Sequence, residues 1–148
     1  MKKAARAIIL DKDKLLVMNR TKVNDDYDTL IGGSLEMGET PLQAVLREIR
    51  EEASIQVTTP QLVFVERAPD PYGVQYIFLC NYVSGIVALD SNTTEAKINQ
   101  LGFTKYIPLW RTIEEFTKVK FRSPSLQKAI LDGINNGFPT EPIDITNT

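Results

Sequence analysis

The segment Gly33 to Ile55, GSLEMGETPLQAVLREIREEASI, constrains the fold more than any other part of this 148-residue chain. A Gly-rich turn runs into a well-signalled helix start, and the helix then carries Glu48, Glu51 and Glu52 within five positions. Thr40 suits the N-cap, Pro41 the first helical position, and Gln43 the capping-box partner three residues on. At about 100° per residue, the i, i+3 and i+4 spacings put the three carboxylates on one helical face. Like charges so placed repel, at roughly 0.2–0.5 kcal/mol per pair in an isolated helix. Either the interleaved Arg47 and Arg50 or a bound cation must compensate. Hard divalent ions such as Mg²⁺ take oxygen ligands and commonly sit between protein carboxylates and substrate phosphates. Leu42, Val45, Leu46, Ile49 and Ala53 form an apolar stripe, so the acids are expected beside it, at the exposed boundary and accessible.

Composition narrows the setting. With 43% hydrophobic and 24% charged residues the chain reads as one domain with a proper core and no room for a second. A net charge of −2 gives no global attraction for duplex DNA or an anionic membrane, so a phosphate-bearing partner needs local Arg/Lys groups or metal ions. A small phosphorylated ligand fits that balance. Cys80 is the single cysteine, set in the apolar run YIFLCNYV, and is expected to act as a small core hydrophobe. The amino terminus MKKAARAIIL is too short in its apolar part for a signal peptide, and no apolar run approaches a membrane span, so a cytoplasmic setting is expected. The chain has no histidine, which removes His-ligated zinc, Ser-His-Asp triads and Cys-His dyads together. Carboxylate, lysine, tyrosine or a water activated by metal remain as general base.

Along the chain, Ala4 to Leu10 and Leu15 to Met18 read as a hairpin around Asp11 to Lys14. Thr21 to Asp28 reads as a polar connection, and Leu30 to Gly33 as a short strand entering the Gly turn. Ile55 to Val57 and Gln61 to Glu66 look extended, Ala68 to Gly73 is a Pro-containing loop, and Val74 to Val83 is a buried strand completing a long hairpin. Ser84 to Gln100 is polar and turn-rich, Phe103 to Ile107 a strand closed by Pro108. Two helices follow, over Thr112 to Thr117 and from Ser123-Pro124 through Leu131, with Trp110 expected to pack under the latter. Residues 1 to 136 are expected to form the domain and 137 to 148 an extended tail.

Each part of the acidic segment has a bland reading by itself: a solvated charged face, a turn, an acid near a helix amino terminus. The combination is more specific. Gly33, five residues, Glu39, seven residues, Arg47-Glu48, an apolar and an arbitrary residue, Glu51-Glu52, then two residues to Ile55 resembles the Nudix hydrolase box. Two departures stand out: Ser54 where the family usually has glycine, and Ile31 where it usually has proline before the box. Ser54 obliges the helix end to manage without glycine's freedom at positive φ.

The resemblance implies an α/β fold, an α/β/α sandwich with a mixed β-sheet, and metal-dependent cleavage of a diphosphate linkage in a nucleoside diphosphate derivative. It assigns Glu48, Glu51, Glu52 and the Gly33 carbonyl to Mg²⁺, with Mn²⁺ as a substitute, and pairs Glu39 with Arg47 as a brace. The general base is left between Glu52, Glu48 and Glu95 in SNTTEAK. Arg20 and Arg67 are candidates for phosphate contacts, and Tyr27, Tyr72 and Tyr76 for stacking on a base. Pro71, sixteen positions after the box, resembles the pattern of ADP-ribose pyrophosphatases. The implied partner is a small nucleotide, and oligomeric state stays open, a homodimer included. The alternatives are a non-catalytic Nudix-fold ligand-sensing or interaction module, against which the intact acid set argues, and isomerase chemistry on an isoprenyl diphosphate, against which the lack of histidine argues.

Overall fold

The computed structural model describes residues 2–68, 73–102 and 104–146. A mixed sheet lies between helices, and its centre is the parallel pair β1 (Lys3–Asp11) and β7 (Gly73–Ser84). Alternation along β1 assigns its two faces, because successive side chains of a strand point oppositely. Ala5, Ala7 and Ile9 pack with α1 (Pro41–Ala53) in one core, and Ile8 packs with α3 (Ile113–Lys118) and α4 (Pro124–Asn136) in the other. The β1–β2 hairpin turns at Lys12, in left-handed conformation, pairing Leu10 with Leu15 before β2 (Lys14–Lys22) diverges to lie between β3 (Asp25–Thr29) and β8 (Lys105–Thr112). The short β4 (Ile31–Ser34) pairs with β1, and the hairpin of β6 (Gln61–Ala68) with β7 is antiparallel, as expected.

Four expectations need correction. Thr21 to Asp28 is not a connection: β2 runs to Lys22, Asn24 turns at positive φ, and β3 returns through Asp25 to Thr29. One of its acids, Asp28, is a buried acceptor, taking hydrogen bonds from Arg111 Nε at 2.9 Å and Asn19 Nδ2 at 2.9 Å. Within Ser84 to Gln100 begins α2 (Thr94–Leu101), a helix capped by Thr93 that buries none of its own residues and so shows no apolar stripe. Pro108 does not end a strand; it lies opposite Met18 on β8, which among the described residues pairs with β2 alone, so the missing N–H faces away from the ladder. Trp110 packs on the α1 side, edge-on to Tyr82 with ring centroids 5.4 Å apart, and not under α4.

The expectation for Cys80 holds. Cys80 is buried in the α1-side core. After α4, Phe138 covers Gly133 and meets the Phe64 ring, and β9 (Ile143–Asp144) adds to β6 in parallel. Among the described residues no helix is long and apolar enough to cross a membrane. Pro69 to Tyr72, with the expectations attached to Pro71 and Tyr72, and Phe103 lie outside the described residues.

Candidate active site

The site is built on the β4–α1 junction. Gly32 has φ +149°, and a Cβ there would stand 2.2 Å from the Ala5 carbonyl oxygen, so only glycine lets β4 lie this close to β1. Thr40 and Gln43 form the capping box that starts α1, with bonds of 3.1 and 2.9 Å. At the far end Ser54 takes the left-handed conformation that glycine would take at lower cost, and its hydroxyl donates to the Ala88 carbonyl at 2.7 Å.

The buried face of α1 differs from the expected stripe. Ala44, Val45, Glu48, Ile49, Glu52 and Ala53 are buried, while Leu42 and Leu46 are exposed. The helix is rotated so that two of its acids face inward: Glu52 is 1% exposed and Glu48 8%. The correction has a physical basis in the Gly32 amide, which donates to Glu52 Oε1 at 2.8 Å and gives the inward carboxylate one fixed partner. The other oxygen, Oε2, is buried and has none among the described residues. Burial first, then the Glu48 charge, push the Glu52 carboxyl up to about 8. Burial also raises Glu48, against the pull of Arg47. Glu51, on the same face, stays accessible, its side chain 36% exposed.

Arg47 is the hub that holds these acids. Its Nε donates to Glu39 Oε2 at 2.8 Å and its Nη2 to Glu39 Oε1 at 3.0 Å, a bidentate pair, while Nη2 also reaches the Ser34 carbonyl. Nη1 donates to Glu48 Oε1 at 3.0 Å and Glu51 Oε2 at 3.1 Å. The bond to Arg47 holds the Glu39 carboxyl down at about 2, and Glu39 raises Arg47 in turn. Arg50 is exposed, so of the two interleaved arginines Arg47 supplies the compensation.

Arg47, Glu48 and Glu51 line a cavity of about 520 Å³ together with Gly33, Arg6 and Arg20. Glu95 reaches it from the first turn of α2. The preceding segment is tied to the end of α1, the Ala88 amide bonding the Ala53 carbonyl at 3.0 Å and the Asp90 amide the Glu51 carbonyl at 2.8 Å. No helical stripe announces that approach. Arg20 Nε donates to Thr29 Oγ1, and its guanidinium lies over Tyr106.

Other expected substrate residues lie apart. Arg67 is ion-paired with Asp144 at 3.3 Å and lines a second, more apolar cavity of about 480 Å³ between the sheet and the start of α4. Tyr27 is 5% exposed, with the Arg122 guanidinium 4.3 Å over its ring, and Tyr76 is half-buried against the α1-side core. Arg6, which borders both cavities, attracts no expectation from motif spacing; the available signal is a charge inside the apolar run AARAIIL.

A hard divalent cation suits this donor set. The buried Glu52 Oε2 has no hydrogen-bond partner among the described residues, and the donors are all oxygen. Gly33 leaves open a space in which a Cβ would sit 2.8 Å from Glu48 Oε1, so its backbone and that carboxylate can approach one centre. Among the described residues no three carboxylates stand as a coordinating group; Arg47 engages Glu48 and Glu51, and Gly32 engages Glu52.

The model of the NUDIX domain matches residues 1–129. The chain belongs to the Nudix family. Among its Nudix relatives, the NAD-capped RNA hydrolase NudC of Shigella flexneri is 35% identical over 78 residues, 53% of this chain and 30% of that protein. NudC of Escherichia coli K12 is 33% identical over the same extent. The matched part is thus under a third of these curated relatives' length. In fold the chain is similar to an ADP-ribose pyrophosphatase of Streptococcus suis, TM-score 0.67 at 18% identity, covering 97% of this chain and 98% of that one. A Nudix hydrolase of Nitrosomonas europaea gives 0.68 at 18% identity over 99% and 79%. The Nudix-type α/β sandwich with a mixed sheet is therefore the fold of this chain.

Proposed function

We propose that this Nudix chain hydrolyses the diphosphate linkage of a nucleoside diphosphate derivative, with Mg²⁺ held by Glu48, Glu51, Glu52 and the Gly33 carbonyl, and Mn²⁺ as a substitute. The observation that carries the reading is the Glu52 carboxylate, 1% exposed, with one oxygen bonded to Gly32 and the other unpartnered. A buried carboxylate in that state costs stability unless a ligand completes it, which marks a site kept for function. When bound, the metal would offset the diphosphate's negative charge and render its phosphorus more electrophilic.

The protein's own groups do the rest. Arg47 keeps Glu48 and Glu51 together on the cavity wall and takes its own orientation from Glu39, so both residues act as a brace. Arg20, which lines the same cavity, offers positive charge to a substrate phosphate. Glu95 is our choice of general base. It lines the cavity half-exposed, whereas Glu52 and Glu48 are buried and engaged by Gly32 and Arg47. A water between Glu95 and the substrate would pass a proton to that carboxylate as its oxygen bonds to phosphorus, and the bridging P–O bond would break with the second phosphate leaving on the bridging oxygen.

The names of the similar proteins speak for the substrate class. ADP-ribose and an NAD cap share a nucleoside diphosphate unit. The test is hydrolysis of ADP-ribose, NADH, UDP-sugars, dinucleoside polyphosphates and nucleoside triphosphates, first in chelator, then with Mg²⁺ or Mn²⁺ added. Metal-restored cleavage of at least one is expected. Cleavage undiminished in chelator, or none at all with metal, contradicts the reading.

A further inference from the structure

Arg6 is a charged side chain on a central strand whose neighbours Ala5 and Ala7 are fully buried. Its Nε donates to Gln75 Oε1 at 3.0 Å, and its Nη1 donates to the carbonyls of Leu30 at 3.2 Å and Gly32 at 3.3 Å. All three acceptors are neutral. Among the described residues Arg6 makes no ion pair, in contrast to Arg47, Arg67 and Arg111. Glu52 and Glu48 attract it only through space, and Arg20 repels it. A half-buried guanidinium that has given up water without gaining a touching carboxylate is matched to an anion that arrives from outside.

Position says which anion. Arg6 borders the acid-lined cavity beside Gly33 and Glu48, and also borders the second cavity, whose wall includes Ile77, Pro124 and Leu126. Arg6 and Gln75, hydrogen-bonded to each other, border both spaces. A ligand spanning them would place an apolar, flat group in one and a metal-binding diphosphate in the other, with its inner phosphate passing Arg6. Three bonds already fix the Nε and Nη1 side of the guanidinium, and none among the described residues engages Nη2. The remaining edge is oriented before the ligand arrives, which lowers the entropy lost on binding.

We infer that Arg6 is a substrate-binding residue, whose Nη2 edge holds the phosphate next to the nucleoside while the base and ribose occupy the cavity beside Pro124 and Leu126. The inference rests on the proposed diphosphate chemistry for the choice of ligand. It also gives the chain a reason to prefer nucleoside-bearing diphosphates over diphosphates that lack an apolar group.

The test is calorimetric binding of α,β-methylene analogues of ADP, GDP, CDP and UDP with Mg²⁺, and of the matching nucleosides, to wild type, Arg6→Gln, Arg6→Lys and the exposed-residue control Arg50→Gln. For the analogue bound most tightly by wild type, Arg6→Gln is expected to lose at least about tenfold in affinity and Arg6→Lys about threefold, a planar fork being replaced by a point charge. Nucleoside binding should change less than about twofold in both, and Arg50→Gln should match wild type. Circular dichroism reports folding; if Arg6→Gln does not fold, Arg6→Lys decides. Wild type binding no analogue, a decisive variant binding like wild type, or equal losses for nucleotide and nucleoside would overturn the assignment. Failure of the diphosphate chemistry shows separately, as wild type that binds analogues selectively through Arg6 yet hydrolyses nothing.

Discussion

The Gly32 amide and Glu52 Oε1 stand 2.8 Å apart, and this single bond is the partner that the structure supplies to a carboxylate 1% exposed to solvent. Everything distinctive about the site turns on that imbalance. A glycine backbone is pressed against β1 to bring the amide there, and a helix is rotated to bury an acid.

The imbalance makes metal-free stability depend on pH. Glu52 titrates near 8 in the folded chain and near 4.5 in the ordinary state, so between these values the folded chain holds the extra proton. Its stabilising contribution is complete below about pH 4.5 and lost as pH rises through about 8. Glu48 is raised too and acts in the same direction. The unfolding temperature in chelator is therefore expected to fall across pH 5 to 8.5, less steeply in Glu52→Gln, and Mg²⁺ should raise it more at pH 8 than at pH 5.5. Identical slopes for wild type and Glu52→Gln by scanning calorimetry would count against the burial argument.

Arg47 supports the acids mechanically as well as electrically. Arg47→Ala removes the shared partner of Glu39, Glu48 and Glu51 and should cost roughly 2–3 kcal/mol in urea unfolding. Glu39→Gln should cost less and show its effect on turnover. The Glu39 contribution is present above the ordinary carboxylate range and lost as pH falls toward about 2, so Glu39→Gln should unfold in acid less steeply than wild type.

Residues 33 to 55 were legible because loop, cap and charge spacing are local: the Thr40–Gln43 box and the Glu39–Arg47 pair are contacts within one turn-helix unit. The direction in which Glu48 and Glu52 point was not legible, since the Gly32 amide and the β1 backbone that decide it are tertiary. Leu42 and Leu46 compete with the acids for the inward face and lose. The helix carrying Glu95 was hidden for a related reason: the segment before it is tied to α1 by backbone bonds, and the helix itself buries none of its residues and shows no apolar stripe. Pairing of Arg67 with Asp144 depends on a tail strand 77 residues away, beyond any local pattern.

Neighbouring glycines should respond differently to alanine. In Gly32→Ala the new Cβ meets backbone, 2.2 Å from the Ala5 oxygen, at a φ that alanine rarely adopts. A loss of about 3 kcal/mol or more, or no folded protein, is expected. In Gly33→Ala the Cβ meets only the end of the Glu48 side chain, at 2.8 Å, which can swing aside. That variant should fold near wild type and bind Mg²⁺ more weakly, as read by the metal-induced shift in unfolding temperature.

Cys80 should be chemically silent. Burial pushes its thiol up to about 12, and it is 2% exposed. Ellman's reagent at pH 7.5 should leave the native chain unmodified over minutes and label one thiol at once in guanidinium chloride. Rapid labelling of the native chain would contradict its place in the core.

The most direct measurement is turnover of the Glu52→Gln variant against wild type at saturating Mg²⁺, on whichever panel substrate wild type cleaves. Glutamine keeps the shape and an oxygen for the Gly32 amide, and removes the charge. A fall of at least about a hundredfold, with near-UV circular dichroism unchanged, is the expected result. Turnover equal to wild type would contradict the claim that the buried acid face of α1 is the catalytic metal site.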